Sequence, residues 1–585
     1  MRDQKRTSNL YTPKNVTAEP LRYQHSKGEP NVRCSTPAPR ITALVSLSAT
    51  LVLALARLAG ATTLNANSAS ESDVAAVIGS AKNGDTVIIP GGTTTWTRTL
   101  SVRKAITIQG AGIGVTIVKD GAQKGALIDW TLAAGQLSRL TGIEFQDGGR
   151  TNIAPAPGGI LHVDGSNTNG SMFRWDHCKW NDLNGYPVID TVLGVIDHCS
   201  FIISDKQRFG IYFYGSHWTG QEYGDGSWVA PINYGSSGFI FVEDCDIRNI
   251  GGGLFYSSDA FAGARVVIRH CTIHNLTITT HGTESTGRER GARAIEVYNN
   301  TFTGTNLNSF VAGTRSGGML VHDNSISGYW GNSAQLTLNN FRGVFPFSPW
   351  GGADGTNAWD VNDPTVFFTG TAASNSSGLN VTVSGANWTA NRWAGYTLRR
   401  TSNSCNLGGP NFGLITSNSS NTITWADGSF GNMAICAGDS LEIRKVNHSL
   451  DQPGRGQGTL ITGVRPTPPS GWNNQVTEPC YSWNNITNLG GHVNFAVSIG
   501  SIRAGVHYFN DTAMPGYTPY IYPHPLTKGL PPPELMTRNA TGISQRKPVR
   551  KRQPWGGKKL DGKKAKKAKA SPTDEMPDGP ESLGH

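Results

Sequence analysis

Three side chains in this sequence of 585 residues have types suited to taking a proton from beside a carboxylate. His281 carries an imidazole, which titrates unperturbed near pH ~6.5 and so serves as a base at neutral pH. Arg315 and Arg293 carry planar guanidinium forks that match a carboxylate and would steady the negative charge developing next to it. Asp259 and Glu284 offer carboxylates that could hold a Ca2+ ion for the same purpose. As a pair they could instead flank a glycosidic bond and cut it by hydrolysis. Asp190, Tyr212, Tyr214, His217 and Trp218 add polar groups and rings of the kind on which sugar faces stack. The plainer alternative for each is an outward polar residue on a solvated strand face, with Arg293 paired to Glu296. Zinc is disfavoured, because His270, His274 and His281 fall on different strands and no thiol is placed to join them.

The elements that must position these residues are written as a repeated phrase: an apolar-x-apolar pair, two residues, then Cys or Asn. It reads Phe173 to Cys178, Val195 to Cys199, Phe241 to Cys245, Val267 to Cys271, Ile295 to Asn300 and Leu320 to Asn324, with a late copy at Tyr481 to Asn485. Each phrase is a short alternating strand that stops at the same kind of residue. Self-similarity of this sort signals a solenoid, in which each turn of chain buries its apolar face against the next. Cys178, Cys199, Cys245 and Cys271 hold one place in successive repeats, so they stack about one strand spacing (~4.8 Å) apart as buried thiols. Their parallel side chains suit no disulfide. Cys405 and Cys436 lie outside the repeats and form the best disulfide candidate. Ser72 is a plausible N-cap for a helix running to Lys82, with strands Asp85–Pro90 and Ala105–Gly110 after it. Laid across an open solenoid end, such a helix protects it from pairing.

Residues 360–447 change character, with Ser, Thr, Asn and Gly rising and the phrase absent. Short alternating runs there predict a small β-sandwich or barrel inserted in a loop. The solenoid resumes over 450–530, beginning with Gly458–Ile461 and Tyr481–Asn485. Upstream, a basic arm (1–40) precedes an apolar run (41–56) and the small residues Ala59-Gly60-Ala61, the pattern of a secretory signal cut before Thr62. The mature chain is then secreted or held at the cell surface, with no stable membrane span. The net charge of +10 sits in appendages: nine Lys/Arg against three acids before Thr62, and twelve against five from Arg546 on, which leaves −3 for the body. That distribution argues against nucleic acid as a partner. Residues 537–585 form a Lys-rich tail too poor in apolar residues to fold.

The helix, Gly84-Asp-Thr-Val-Ile-Ile-Pro-Gly-Gly92, Trp96 and Ala105-Ile-Thr-Ile-Gln-Gly-Ala-Gly112, together with the Cys/Asn ladder, resemble the right-handed parallel β-helix of the pectin lyase-like superfamily. The resemblance covers roughly 70–345 and 450–530. It implies an all-β fold of three-strand coils over 62–345, and intervals such as 178 to 199, 245 to 271 and 300 to 324 fit one coil each. It also implies a ligand groove along Tyr186–Asp190, Gly210–Tyr214, Gly253–Asp259, Thr279–Ser285 and Ser309–Arg315, overhung by the loop from His217 and the arm Arg288–Arg293. In that setting the expected activity is a polysaccharide lyase acting on uronic-acid polymers as a monomer. Its catalytic residues would be His281, Arg315 and Arg293. Asp190, Tyr212, Tyr214, His217 and Trp218 would bind substrate, and Asp259 and Glu284 would be a Ca2+ site. The alternatives are a non-catalytic glycan-binding protein and a glycoside hydrolase. The sequence departs from the family's best-known activities: it lacks the Asn-Thr-Asp, Asp-Asp and Gly-His-Gly phrases of polygalacturonases and the Arg-x-Pro-x-x-Arg phrase of major pectate lyases, whose near match Arg546-Lys-Pro-Val-Arg-Lys551 sits in the tail.

Overall fold

The computed structural model describes residues 60–528 apart from 153–158, 166–169, 207–208, 254, 284–286, 308, 330–334, 341, 343–347, 427–432 and 498. The apolar run expected as a signal (41–56), the Lys-rich tail and Glu284 lie outside the described residues. Three long parallel sheets of 12, 10 and 10 strands dominate the rest. The chain visits them in rotation. Thr107–Gln109 lies in the first sheet, Thr116–Asp120 in the second and Ile128–Thr131 in the third, and Leu137–Thr141 then returns to pair with Thr107–Gln109 in parallel. The protein is therefore all-β with long parallel sheets. Parallel strands need a crossover between partners, and here that crossover is the passage through the other two sheets.

The repeated phrase forms the first sheet. Met172–Asp176, Leu193–Asp197, Ile240–Glu243, Arg265–Arg269, Ala294–Tyr298, Gly318–His322 and Cys480–Trp483 pair in that order. Every phrase then turns through one left-handed residue: His177, His198, Asp244, His270, Asn299, Asp323 and Asn484, with φ between 50° and 55°. His, Asp and Asn tolerate that conformation better than other residues with a Cβ, so the corner is built without glycine. The next residue is Cys or Asn and points inward. Cys178, Cys199, Cys245 and Cys271 are buried, free thiols on consecutive rungs, whose carbonyls accept from Ser200, Asp246, Thr272 and Thr301. Burial pushes the Cys178 thiol up to about 12. Above them the column continues in carboxamides. Asn300 Oδ1 accepts from Cys271 N at 2.9 Å, Asn324 Oδ1 from Asn300 Nδ2 at 3.1 Å, and Asn485 Oδ1 from Asn324 Nδ2 at 2.8 Å.

The α-helix Glu71–Ser80 packs Val74 and Ile78 into the core at the first coil. Its N-cap is Ser70, whose hydroxyl accepts from Asp73 N, and not Ser72 as the pattern suggests. Trp96 Nε1 donates to Ala69 O just ahead of it, which fixes where the helix begins. At the other end, Gly318–His322 pairs directly with Cys480–Trp483. Between them the chain forms a six-stranded antiparallel sheet from Asp360–Thr371 to Ser440–Ser449, its first and last strands paired with each other. This sheet has its own apolar core around Trp388, Trp393, Leu398, Ile415 and Trp425. Cys405 and Cys436 are joined there by a disulfide. Gly458–Ile461, expected as a strand, is none: Ile461 packs on Trp350, Trp359 and Leu450.

The outer face of the first sheet is not open to solvent. Residues 517–528 lie over it as a strap, pinned by arginines: Arg269 donates to Tyr520 O and Ile521 O, and Arg174 to Leu526 O. Tyr517 Oη donates to Glu296 and Tyr522 Oη to Asp244. Beneath the strap, Arg139, Arg174 and Arg269 pair with Asp176, Asp197 and Glu243 on neighbouring rungs.

Candidate functional site

The third sheet aligns Leu161–Asp164, Val188–Asp190, Phe209–Tyr214, Phe255–Phe261, Leu276–Ile278 and Ala312–Thr314 in sequence order. Strand alternation sends Val163, Ile189, Phe213 and Ala260 into the core. Their neighbours Asp164, Asp190, Tyr214 and Phe261 therefore point out, and register stacks these four on successive rungs. Val188, Tyr212 and Asp259 form the adjacent column. The aromatic members pack face to face: Tyr214 lies 5.0 Å from Phe261, and Phe261 lies 4.1 Å from His281 with rings only 14° apart. Tyr186 lies over Tyr212 at 4.2 Å.

His281 follows Leu276–Ile278, and its backbone N–H donates to Ala260 O, which sets it one rung beyond Phe261. Its Nδ1 lies 2.8 Å from the carboxylate of Asp259, whose side chain is fully buried. A ring N–H donated to a carboxylate fixes the tautomer and leaves Nε2 as the proton acceptor. Ser316 Oγ donates to His281 O, and Thr280 and Thr314 share a hydroxyl hydrogen bond of 2.8 Å, so Arg315 occupies the rung next to His281. Arg315 is half-buried and donates through Nε to Thr280 O.

Two overhanging segments wall this face. Trp218–Gly220, Glu222–Gly224 and the short helix Asp225–Val229 make the first. Gly224 (φ 80°) rests so closely on the sheet that a Cβ there would stand 2.3 Å from Ala262 backbone. The second is the arm 287–293. Arg288 and Arg290 both reach Asp225, Arg290 also holds Asp451, and Trp228 Nε1 donates to Gly291 O at 2.7 Å. Glu289 lies between Arg288 and Arg290 on this arm, half-buried and near enough to Asp190 and Tyr214 for charge to be felt between them. Loss of water, and then the Asp190 charge, push the Glu289 carboxyl up to about 7. Burial likewise raises Asp190, against the opposing pull of His217 and a hydrogen bond from Thr191. Burial, with Glu289 and Asp259 nearby, raises the Tyr214 phenol.

The residues singled out in the sequence fare unequally. His281, Asp259, Asp190, Tyr212, Tyr214, His217 and Arg315 share this face. Tyr212 and Tyr214, expected as exposed platforms, are each 7% exposed, with Phe261 stacked on both rings and Tyr186 lying over Tyr212. Trp218 is half-buried with the Arg265 guanidinium 5.0 Å from its ring. Arg293 is corrected outright. It is fully buried, donates to Ser227 O, Ala230 O and Glu478, and lies over Trp228, so it pairs with neither a substrate carboxylate nor Glu296. A Ca2+ site does not fit Asp259: a calcium ion takes six to eight oxygens, whereas this carboxylate is sealed against His281 and the Ala260 N–H. Among the described residues no group of three or more His, Cys, Asp or Glu could hold a metal ion. Sequence reasoning missed Glu289, named only as part of the arm; its signal was an acid flanked by two arginines.

A scan of protein-family models finds no match to this chain, and no curated protein matches it either. Among the described residues no helix is long and apolar enough to cross a membrane.

Proposed function

We propose that this protein is an exported right-handed parallel β-helix of the pectin lyase-like kind, with the antiparallel sheet of residues 360–449 as an insertion, and that it cleaves a uronic-acid polysaccharide by β-elimination. The observation that carries the reading is the Asp259–His281 pair on the outer face of the third sheet. Asp259 orients the ring, and Nε2 takes the proton α to the uronate carboxyl group. Arg315, on the neighbouring rung, steadies the carboxylate as charge moves onto it. The half-buried rim of Tyr186, His217, His281, Glu289 and Arg315 is where a sugar reaches the site. The test is incubation with polygalacturonate, alginate and other uronic-acid polymers, following the ultraviolet absorbance of unsaturated uronates. Product that disappears in His281→Ala supports the reading; product unchanged in both His281→Ala and Arg315→Ala refutes it.

A second reading, hydrolysis, is favoured by one observation: Asp190 and Glu289 are carboxyls held above their ordinary range, and the Asp190 charge is felt at Glu289. Release of reducing ends without unsaturated product selects it. Binding with neither product selects a glycan-binding protein.

A further inference from the structure

We infer that the segment leaving the antiparallel sheet and the chain following the last strand of the third sheet together form an oxyanion-binding site, built on Arg455, Arg503, His448 and His507. Arg455 Nε stands 3.1 Å from His507 Nε2, and Arg455 Nη1 donates to Gln475 O. The backbone N–H of Arg503 donates to His507 Nδ1 at 3.0 Å, and the His507 backbone N–H donates back to Arg503 O. Gln452 draws the two segments together, its Oε1 accepting from Ser449 N and its Nε2 donating to Ser501 O. Among the described residues no carboxylate pairs with Arg455 or Arg503. His507 has one lone pair in its neutral ring yet faces an N–H at each nitrogen, so one contact sets proton against proton. His448 Nε2, the adjacent Ser449 Oγ and Ser501 Oγ are buried without a partner. The cluster therefore holds more donors and positive charge than acceptors. An anion that only accepts, through several oxygens, supplies what is lacking, and guanidinium forks fit such oxygens.

Its place in the fold points to the source of the anion. Ala312–Thr314 pairs with Leu336–Leu338, and that strand pairs with Phe495–Val497. Arg503 thus follows a strand two rungs, ~10 Å, beyond the one that leads into Arg315. Gly317 N donates to Asp451 O and Gly454 N donates to Gly317 O, which staples the Arg455 segment to the turn just after Arg315. Arg503 is exposed and Arg455 half-buried, so the cluster opens to solvent. A glycan that carries carboxylates along its length and has one at Arg315 brings another to Arg455 and Arg503. That source rests on the function proposed above; the anion site itself does not. The groups bearing on His448 are Arg455, Arg503 and His507, none of them acidic. Burial and these arginines hold His448 neutral, its pKa lowered to about 4. A bound anion favours the protonated ring, so binding takes up a proton and tightens as pH falls.

Isothermal titration calorimetry on the full-length chain tests this, with trigalacturonate and inorganic sulfate as probes and neutral galactotriose as control. His281→Ala serves as the background for the sugars, so that none is consumed. We expect both anions to bind and to compete, and galactotriose not to bind. Arg503→Gln, an exposed change, should weaken both by about 10-fold or more at an unchanged melting temperature. Sulfate keeps its charge between pH 5 and 7, so its tighter binding at pH 5 reports the protein; His448→Gln should remove that dependence. Sulfate binding that Arg503→Gln abolishes but trigalacturonate does not displace supports the site and overturns the glycan as its source. No binding of either probe by wild type, or affinities unchanged in Arg503→Gln, overturns the inference. Failure to cleave any uronic-acid polymer, with sulfate still bound, overturns the proposed reaction alone.

Discussion

At the scale of single residues, the site depends on one imidazole held by one buried carboxylate. Asp259→Asn keeps the shape but no longer favours the Nδ1–H tautomer, so activity on a responsive polymer should drop about 10- to 100-fold with little change in KM; kcat and KM measured separately check this. Glu289 carries a pH signature of its own. Its carboxyl is raised from the ordinary 4.5 to about 7, so the folded state holds the proton more tightly than the unfolded state does. Its contribution to stability is complete below pH 4.5 and is lost as pH rises through 7. Urea midpoints of wild type should therefore decline relative to Glu289→Gln across that window and run parallel above it. Of these residues, His281 and Arg315 were set side by side in the sequence only through the groove that the resemblance implies, and the structure puts them on neighbouring rungs. The Arg293 partner was not legible, because Glu478 lies 185 positions away and nothing local marks it.

At the scale of elements, the corner column and its ladder are where sequence and structure agree most closely. Alternation placed the strands of the first sheet because one face of each is buried, which makes the period of two unavoidable. The left-handed corner was equally visible in retrospect: His, Asp and Asn alone occupy it from His177 to Asn484. The burial of Tyr212 and Tyr214 was not visible, because the rings that cover them, Tyr186 and Phe261, are brought there only by the stacking of strands far apart in sequence. Asn324→Leu should cost about 1–3 kcal/mol in urea unfolding, since it strands Val297 O and the Asn485 carboxamide in the core. The strap has the opposite pH sense to Glu289. His524 is held neutral, its pKa lowered to about 3 by burial and by Arg269 and Arg174. Glu243 accepts its backbone N–H, and Phe241 and Tyr520 pack on its ring. A group depressed in this way contributes stability above its ordinary 6.5 and loses it as pH falls toward 3. Protection factors of residues 517–528 in hydrogen exchange should fall below pH 6, and His524→Gln should flatten that dependence.

At the scale of the whole molecule, the antiparallel sheet and the parallel sheets have separate cores. Reducing Cys405–Cys436 should therefore lower the melting of the first by an amount equivalent to about 3–4 kcal/mol and leave the second in place. Calorimetry with and without reductant checks this as a shift in one of two transitions. The composition changes near residue 360, where the first antiparallel strand begins, whereas the length of the gap before Cys480 was not legible, because Gly458–Ile461 is apolar without being a strand. One further result follows from the strap. Arg174 finds its last acceptor 352 positions downstream, at Leu526. A chain made from its N-terminus onward winds most of its turns with these guanidinium groups still wet, and seals them only when residues 517–528 arrive. A chain halted before that stretch leaves the stack with one flank open.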